Sequence, residues 1–172
     1  MAYLLDADVF IRAKNEYYGF ELCPGFWDWL EMMNAAGTVC SVEAVLLELI
    51  EGDDDLARWA RDHRSFFLSP TAADIDSIAA VNRWANDSPS YEAAAKTDFA
   101  RAADSFLLGQ ARAGNHAVVT HEIISDGRRK IKISNAAAAF DIQVRNPFQI
   151  LRALNARFVL ERHTGQLTLP TL

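Results

Sequence analysis

Cysteine and long apolar runs are scarce in this chain of 172 residues. The two cysteines, Cys23 and Cys40, have no CxxC spacing and no histidines at ligand spacing nearby, which excludes a zinc site and a disulfide framework and indicates reduced thiols. No apolar stretch approaches the roughly 20 residues that a membrane-spanning helix needs. The first residues have neither the basic segment nor the cleavage site of a secretory signal. We therefore expect a soluble protein of the cytoplasm.

The remaining composition is ordinary for a globular protein, with 51% hydrophobic and 23% charged residues. A chain of this length can bury a substantial core, and we expect one domain over residues 1–172. The tryptophans are spaced as helix-packing residues are, so we assign them to the core or to contacts between copies of the chain. They are Trp27, Trp29, Trp59 and Trp84.

Charge is divided unevenly along the chain, although the net charge is −6. Residues 1–125 hold 9 lysines and arginines against 20 acids, a balance of −11, whereas residues 126–172 hold 8 against 3, a balance of +5. A basic stripe beside an acidic cleft is suited to holding a phosphate backbone near bound metal. Charge alone favours the plainer interpretation of solvated faces, or of ion pairs within a dimer. The basic residues are Arg128, Arg129, Lys130, Lys132, Arg145, Arg152, Arg157 and Arg162.

Strand and helix patterns alternate along the chain, which predicts an α/β fold with a parallel sheet of about four to five strands. The first predicted strand ends at Asp6 and Asp8, and a loop with aromatic and turn residues follows it over 17–25. Further strands are predicted at Thr38–Cys40, Phe66–Leu68 (or a buried loop), His116–Thr120, Lys130–Ile133 and Arg157–Leu160. Helices are predicted at Phe26–Ala36, from a cap at Ser41 to near Gly52, at Asp55–His63, from Ser69 to Trp84, at Tyr91–Gly114 and at Pro147–Asn155.

Two carboxylates, Asp6 and Asp8, close the first apolar run. Ligands of open parallel sheets collect outside the carboxyl ends of the strands, which is where these acids are expected. Two acids so close repel one another and are costly to desolvate, so a cation between them would explain the arrangement. The alternative is structural: Asp8 caps a following helix while Asp6 closes a turn.

Three more acids lie near the expected tips of other strands. Glu48 and Asp104 are each flanked by apolar neighbours on predicted helices, and Glu122 follows the strand that contains Val118. Acids among apolar residues need compensation, and Mg²⁺ or Mn²⁺ is suited to supply it because hard cations prefer carboxylate oxygens. Such a site suits metal-assisted hydrolysis of a phosphodiester. Taken singly, Glu48 or Asp104 is described as well by an exposed position paired with a base.

Four segments of the chain resemble the successive motifs of PIN domains, which are metal-dependent nucleases common as toxins of bacterial toxin–antitoxin pairs. These segments are LLDADVFI (4–11), VEAVLLELIEGDD (42–54), ADSFLLGQA (103–111) and VVTHE (118–122). With FWDWL at 26–30 and KIKI at 130–133, the chain resembles most a DUF4411-like branch of PIN-like proteins, in which a small helix follows the second of these. The resemblance implies a three-layer α/β/α fold.

The resemblance also implies a role for each acid. Asp6, Glu48 and Asp104 would be the first, second and third metal ligands. Glu122, which stands where PIN domains usually have an aspartate, would hold metal and carry catalysis together with them. Asp8 replaces the more frequent Asn or Ser, so it would either join the metal or hydrogen-bond to a ligand. The substrate would be held by residues of the fourth strand and the basic run, with the Thr120 hydroxyl orienting ligands or water. These are Thr120, Arg128, Arg129, Lys130 and Lys132.

The implied activity is that of a Mg²⁺- or Mn²⁺-dependent endoribonuclease that leaves 5′-phosphate and 3′-hydroxyl ends. Its implied partners are an RNA substrate, a cognate antitoxin protein and a second copy of the chain, with no membrane. Asp98 and Asp126 lie close enough in sequence to compete for the roles of Asp104 and Glu122, and His121 would contact phosphate or lie at the surface.

Two other functions fit parts of the pattern. One is a catalytically inactive PIN-like module that binds RNA or protein. The other is a haloacid-dehalogenase-type phosphatase, in which the first acid of a DxD is the nucleophile and the second a general acid. That mechanism needs a downstream lysine before a late acidic pair, whereas here the clustered acids Asp53, Asp54 and Asp55 come early.

Overall fold

The apolar run at the start of the chain forms the central strand of a parallel sheet. Leu4 and Leu5 are completely buried, as expected for a strand covered on both faces. In the computed structural model, which describes residues 1–159, the strand order is β3-β2-β1-β4-β5 and every pair is parallel. The strands are β1 (Tyr3–Leu5), β2 (Val39–Val42), β3 (Phe67–Leu68), β4 (Ala117–Val119) and β5 (Val144–Arg145).

Helices cover the sheet to give the expected three-layer α/β/α architecture. A π-helical turn, Ala13–Tyr17, extends the first helix, and a 3₁₀ turn, Arg64–Phe66, precedes β3. None of the helices in residues 1–159 is long and apolar enough to cross a membrane. The helices are α1 (Ala7–Arg12), α2 (Pro24–Ala35), α3 (Glu43–Ile50), α4 (Asp55–Asp62), α5 (Ala72–Asp87), α6 (Ala93–Arg101), α7 (Ala103–Ala113), α8 (Ile133–Ala139) and α9 (Pro147–Ala153).

The strand order produces a topological switch beside β1. The chain adds β2 and β3 on one side of β1 and then crosses to add β4 and β5 on the other. Leu5 at the end of β1 pairs with Val119 at the end of β4, so the loops that follow these strands diverge from adjacent points. Open parallel sheets bind ligands in the crevice at such a point.

The core contains most of the aromatic side chains. Trp27, Trp29 and Trp59 are buried and Trp84 packs against the same cluster, which confirms their assignment to packing. Cys40 is buried and Cys23 partly buried, and both are free thiols, as predicted. Burial raises the pKa of Cys40 to about 11, which keeps this thiol protonated and unreactive.

One predicted strand is wrong: Lys130–Ile133 does not join the sheet. Ile131 and Ile133 are buried as alternation requires, but the Ile133 amide donates to the Glu122 carboxylate instead of to a neighbouring strand. Ile133 then begins α8, the small helix that the resemblance implied. The fifth strand is Val144–Arg145, and a strand of two residues is too short to give a recognisable sequence pattern.

The predicted helix Tyr91–Gly114 is two helices, α6 and α7. Ala102 is extended (ψ 158°), and the freed amide of Ala103 donates to Glu48 Oε1 instead of to a carbonyl of its own helix. At the end of the chain, residues 157–159 form no strand, and Leu160 and Arg162 lie outside the described residues.

Other boundaries shift by a few residues. Between the end of β1 and the predicted loop over 17–25, the chain forms α1 and the π-helical turn, which were not predicted. Ser41 lies in β2, where its hydroxyl donates to the Leu5 carbonyl oxygen, and Val42 takes the cap position of α3. Gly37 ends α2 with φ +66°, the left-handed conformation expected of a glycine after a helix.

Helices α5 and α7 approach closely at Gly109, and this contact gives a stability prediction. A Cβ at Gly109 would clash with Ile78 Cγ1 and lie 2.7 Å from Ile78 Cα, whereas among residues 1–159 one at Gly25 in α2 would meet only Phe158, at 3.9 Å. Gly109→Ala should lower the free energy of unfolding by about 1–3 kcal/mol, because the helices must separate. Gly25→Ala should leave it unchanged or raise it by up to about 1 kcal/mol. Urea unfolding measures both, and equal effects would contradict the packing.

Candidate metal-dependent active site

A cavity of about 500 Å³ opens beside the ends of β1 and β4. The five acids that the sequence predicts as metal ligands line it, although they come from four distant segments. The topology therefore brings the predicted residues together. The lining acids are Asp6, Asp8, Glu48, Asp104 and Glu122.

Asp6 is the most buried of these acids, with 6% of its surface exposed. It occupies the cap position of α1 but makes no capping hydrogen bond; the hydroxyl of Thr120 donates to Asp6 Oδ2 at 2.8 Å instead. Burial, and then the negative charge of Asp104, raise the pKa of Asp6 to about 7 against the Thr120 hydrogen bond. Thr120 is thus a neighbour that orients Asp6, in keeping with its predicted role.

Asp104 and Glu48 meet at the break between α6 and α7. Asp104 lies in the first turn of α7, where the helix dipole favours an anion. Burial and the charge of Glu122 nevertheless raise the pKa of Asp104 to about 6, and Lys130 opposes the shift. Glu48 lies at the exposed rim of the cavity, where its Oε1 accepts the Ala103 amide at 3.0 Å. The expected burial of Glu48 among apolar residues is therefore wrong, because it occupies the polar side of α3.

Glu122 is held from several sides. Its Oε1 accepts from Lys130 Nζ at 2.8 Å and from Lys132 Nζ at 3.1 Å, and its Oε2 accepts the Ile133 amide at 2.8 Å. Although burial acts in the opposite direction, these hydrogen bonds keep the pKa of Glu122 below its usual value. Glu122 is therefore ionised and paired.

The basic run divides between two neighbouring surfaces. Lys130 and Lys132 line the acidic cavity, whereas Arg128 and Arg129 lie in an adjoining groove to which the lysines also contribute. Arg129 Nε lies 4.0 Å from the Glu92 carboxylate. The four basic residues of the predicted binding set thus form a strip from the groove to the cavity.

The sequence analysis named three further candidates for the site: His121, Asp98 and Asp126. His121 lines the cavity and stacks on Tyr17 with 5.8 Å between ring centroids. Asp98 lines a neighbouring cavity that Asp104 shares, and Asp126 lines a different groove, so the cavity wall contains Asp104 and Glu122 in their place.

Sequence reasoning missed Arg12, which also lines the cavity. Its guanidinium binds Glu16 and the Tyr17 hydroxyl, both at 2.9 Å. Asp8 and Arg12 have the i,i+4 spacing of one helix face, a signal that becomes visible only if α1 is predicted.

The donor chemistry of the cavity fits a hard divalent cation. Carboxylate oxygens are the ligands that Mg²⁺ and Mn²⁺ prefer. Burial and the charges of neighbouring acids raise the pKa values of Asp6 and Asp104, and a cation at this place would oppose both shifts. The coordination shell is not preformed: within residues 1–159, no three His, Cys, Asp or Glu side chains are close enough together to hold a metal. A bound ion would therefore have to draw these carboxylates inward.

The raised pKa of Asp6 predicts how stability depends on pH without metal. Its folded value of about 7 exceeds the ordinary 3.8, so the folded state loses stability as the pH rises between these values. In EDTA, Asp6→Asn should raise the free energy of unfolding at pH 8 by on the order of 1 kcal/mol or more, and change it little at pH 4. Chemical denaturation at both values measures this. The exposed Asp76→Asn is the matched control and should show no such difference; a loss of stability in Asp6→Asn at pH 8 would contradict the account.

Comparison with known proteins agrees with this architecture. A family model described as "Domain of unknown function (DUF4411)" matches residues 3–158. The fold is similar to that of a chain in the crystal structure of VapBC2 from Rickettsia felis bound to a DNA fragment from their promoter, with a TM-score of 0.51 and 15% identity over 85% of this chain and 98% of that chain. No curated protein matches. The chain therefore belongs to the DUF4411 family and has a PIN-like fold.

Proposed function

We propose that this chain is a Mg²⁺- or Mn²⁺-dependent endoribonuclease and the toxin of a toxin–antitoxin pair. The observation that carries the proposal is the meeting of acids from distant segments in one cavity, where Asp6 is buried and the pKa values of Asp6 and Asp104 are raised. Acids in such surroundings lower stability unless a cation neutralises them. The PIN-like fold supports a nuclease of the hydrolase class.

Three acids would hold the ion: Asp6 at the end of β1, Glu48 on α3 and Asp104 on α7. The resemblance adds Asp8 and Glu122 to them. When bound, a divalent ion supplies an activated water and neutralises charge that develops on the leaving oxygen. Thr120 fixes the orientation of Asp6, and the Ala103 amide fixes that of Glu48.

The strip of basic residues would bind the RNA backbone. Arg128 and Arg129 contact phosphates in the adjoining groove, and the lysines lead the strand to the cavity. Holding the strand in this way aligns the scissile phosphate for in-line attack and cleavage of its bond to the 3′ oxygen. The products would then carry 5′-phosphate and 3′-hydroxyl ends.

The proposed partners are an antitoxin that blocks the cavity and a second copy of the chain. The chain of similar fold comes from the structure of VapBC2 bound to a promoter DNA fragment, which supports the antitoxin partner. The second copy follows from the resemblance alone. A cytoplasmic location stays a prediction.

An inactive module that binds RNA or protein is the second candidate, because the carboxylates of the described residues do not form a ready coordination shell. The phosphatase alternative gains no support from the PIN-like fold.

Cleavage of a labelled single-stranded RNA tests the catalytic proposal. With MnCl₂ the chain should cleave the RNA, and EDTA should abolish cleavage. Asp104→Asn should lower the rate at least about 100-fold, because several kcal/mol of charge stabilisation are lost. The exposed Asp76→Asn on α5 should retain the rate.

RNA binding, followed by fluorescence anisotropy, separates the two candidate functions. Asp104→Asn should bind the RNA as the parent does without cleaving it. Metal-independent binding by the parent with no cleavage would establish the inactive module and contradict the nuclease.

Expression in bacteria tests the proposed toxin role. The parent chain should arrest growth by degrading cellular RNA, and Asp6→Asn, at the same protein level, should relieve the arrest because the first ligand is lost. Growth curves with immunoblots measure this, and Asp76→Asn is again the control. Equal arrest by the parent and Asp6→Asn would contradict toxicity through cleavage.

A further inference from the structure

Every oxygen atom of Glu122 accepts a hydrogen bond from another residue of the protein. Each side-chain oxygen accepts at least one hydrogen bond, and the backbone carbonyl accepts the Ser134 hydroxyl at 2.7 Å. The Glu122 amide donates to Thr120 Oγ1 at 3.0 Å. A metal ligand at this position would have to give up several of these contacts, whereas the contacts suit an anchor for neighbouring cations.

The segment 130–133, which carries the lysines that bind Glu122, is anchored in the core. Ile131 and Ile133 are each 1% exposed, and they fix the segment to the core. Burial alternates along the segment, so Lys130 and Lys132 are more exposed than the isoleucines and reach the same oxygen of Glu122. The KIKI motif thus presents two ammonium groups to the cavity.

These ammonium groups face the other acids as well. The hydrogen bond to Glu122 raises the pKa of Lys130 against the effect of burial, and the charges of Glu122, Asp104 and Asp6 add to the rise. Lys130 and Lys132 both oppose the rise in the pKa of Asp104. The cavity therefore already contains positive charge close to two proposed ligands.

The net negative charge of the cavity lining is about that which one divalent ion neutralises. Its five acids and its three bases, Arg12, Lys130 and Lys132, give −2 when all are ionised, or −3 if the charge of Arg12 is assigned to Glu16 outside the cavity. One divalent ion brings the lining to between 0 and −1. A second would leave it at +1 to +2 before substrate binds.

We propose that Lys130 and Lys132 are built-in cations of the site that take the place of a second metal ion. Glu122 is their anchor and not a metal ligand, and the cavity takes a single divalent ion held by Asp6, Glu48 and Asp104. This inference rests on the proposed metal dependence. In the nuclease, the ammonium groups are positioned to bind the non-bridging oxygens of the scissile phosphate.

Calorimetric titration with MnCl₂ tests the proposal without measuring cleavage. The parent should bind one ion per chain. Glu122→Gln should still bind one ion, with its Kd changed by less than about threefold, because the lysines already neutralise this acid. Asp104→Asn should weaken binding at least about tenfold, because it removes an anionic ligand next to the ion. The double variant Lys130→Met/Lys132→Met should bind the ion at least about threefold more tightly, because two repelling charges are gone.

Lys14→Met is the matched control for the lysine variants. Lys14 forms a 2.8 Å ion pair with Asp54 and does not line the cavity, so its removal should leave the Kd unchanged. Thermal melts of all the variants show whether each is folded.

Three results would overturn the inference: two ions bound by the parent, a loss of affinity in Glu122→Gln equal to that in Asp104→Asn, or weaker binding by the double lysine variant. A parent that binds no Mn²⁺ would overturn the proposed function itself. That outcome differs from all three, because each of them requires that metal binds.

Discussion

The site depends on one constraint: burial removes Asp6 and Asp104 from water, and repulsion by neighbouring acids adds to the cost of ionising them. The repulsion follows from the fold, because parallel pairing of β1 with β4 brings the end of the first strand beside the start of α7. Each nearby contact then acts as partial compensation: the Thr120 hydroxyl on Asp6, the dipole of α7 at Asp104, and the lysines on Glu122. What the described residues leave uncompensated is the charge that a divalent ion would supply.

The segment 130–133, which follows β4, is fixed to the core and carries two lysines that line the cavity. Buried isoleucines fix its backbone, and the Ile133 amide donates a hydrogen bond to the Glu122 carboxylate. Lys130 and Lys132 bind the same carboxylate. This arrangement explains how the segment is held in place without a strand partner. It also explains how a chain with a net charge of −6 can have a local strip of basic residues beside the cavity.

Much of the fold could be predicted from the sequence, because buried strands and amphipathic helices have strong local patterns. The parallel sheet, the position of the acids at its edge and the packing role of the tryptophans all followed from such patterns. The failures occurred where tertiary contacts replaced local ones. Ala102 breaks a helix because the Ala103 amide is satisfied by Glu48, and alternation at Lys130–Ile133 reflects burial of two isoleucines without a strand partner. The resemblance assigned Glu122 to the metal site by its position in the motif alone. No local pattern could show that Glu122 is paired with two lysines, because those contacts are made in the folded structure.

The central claim is that Asp6, Glu48 and Asp104 close around one ion. Anomalous diffraction from crystals grown with Mn²⁺ tests it most directly, because the anomalous signal locates the metal independently of the protein density. The account predicts one peak within ligand distance of carboxylate oxygens from these three residues, with Lys130 and Lys132 still on Glu122. A peak bound by Glu122, or a cavity without a peak at saturating Mn²⁺, would contradict it.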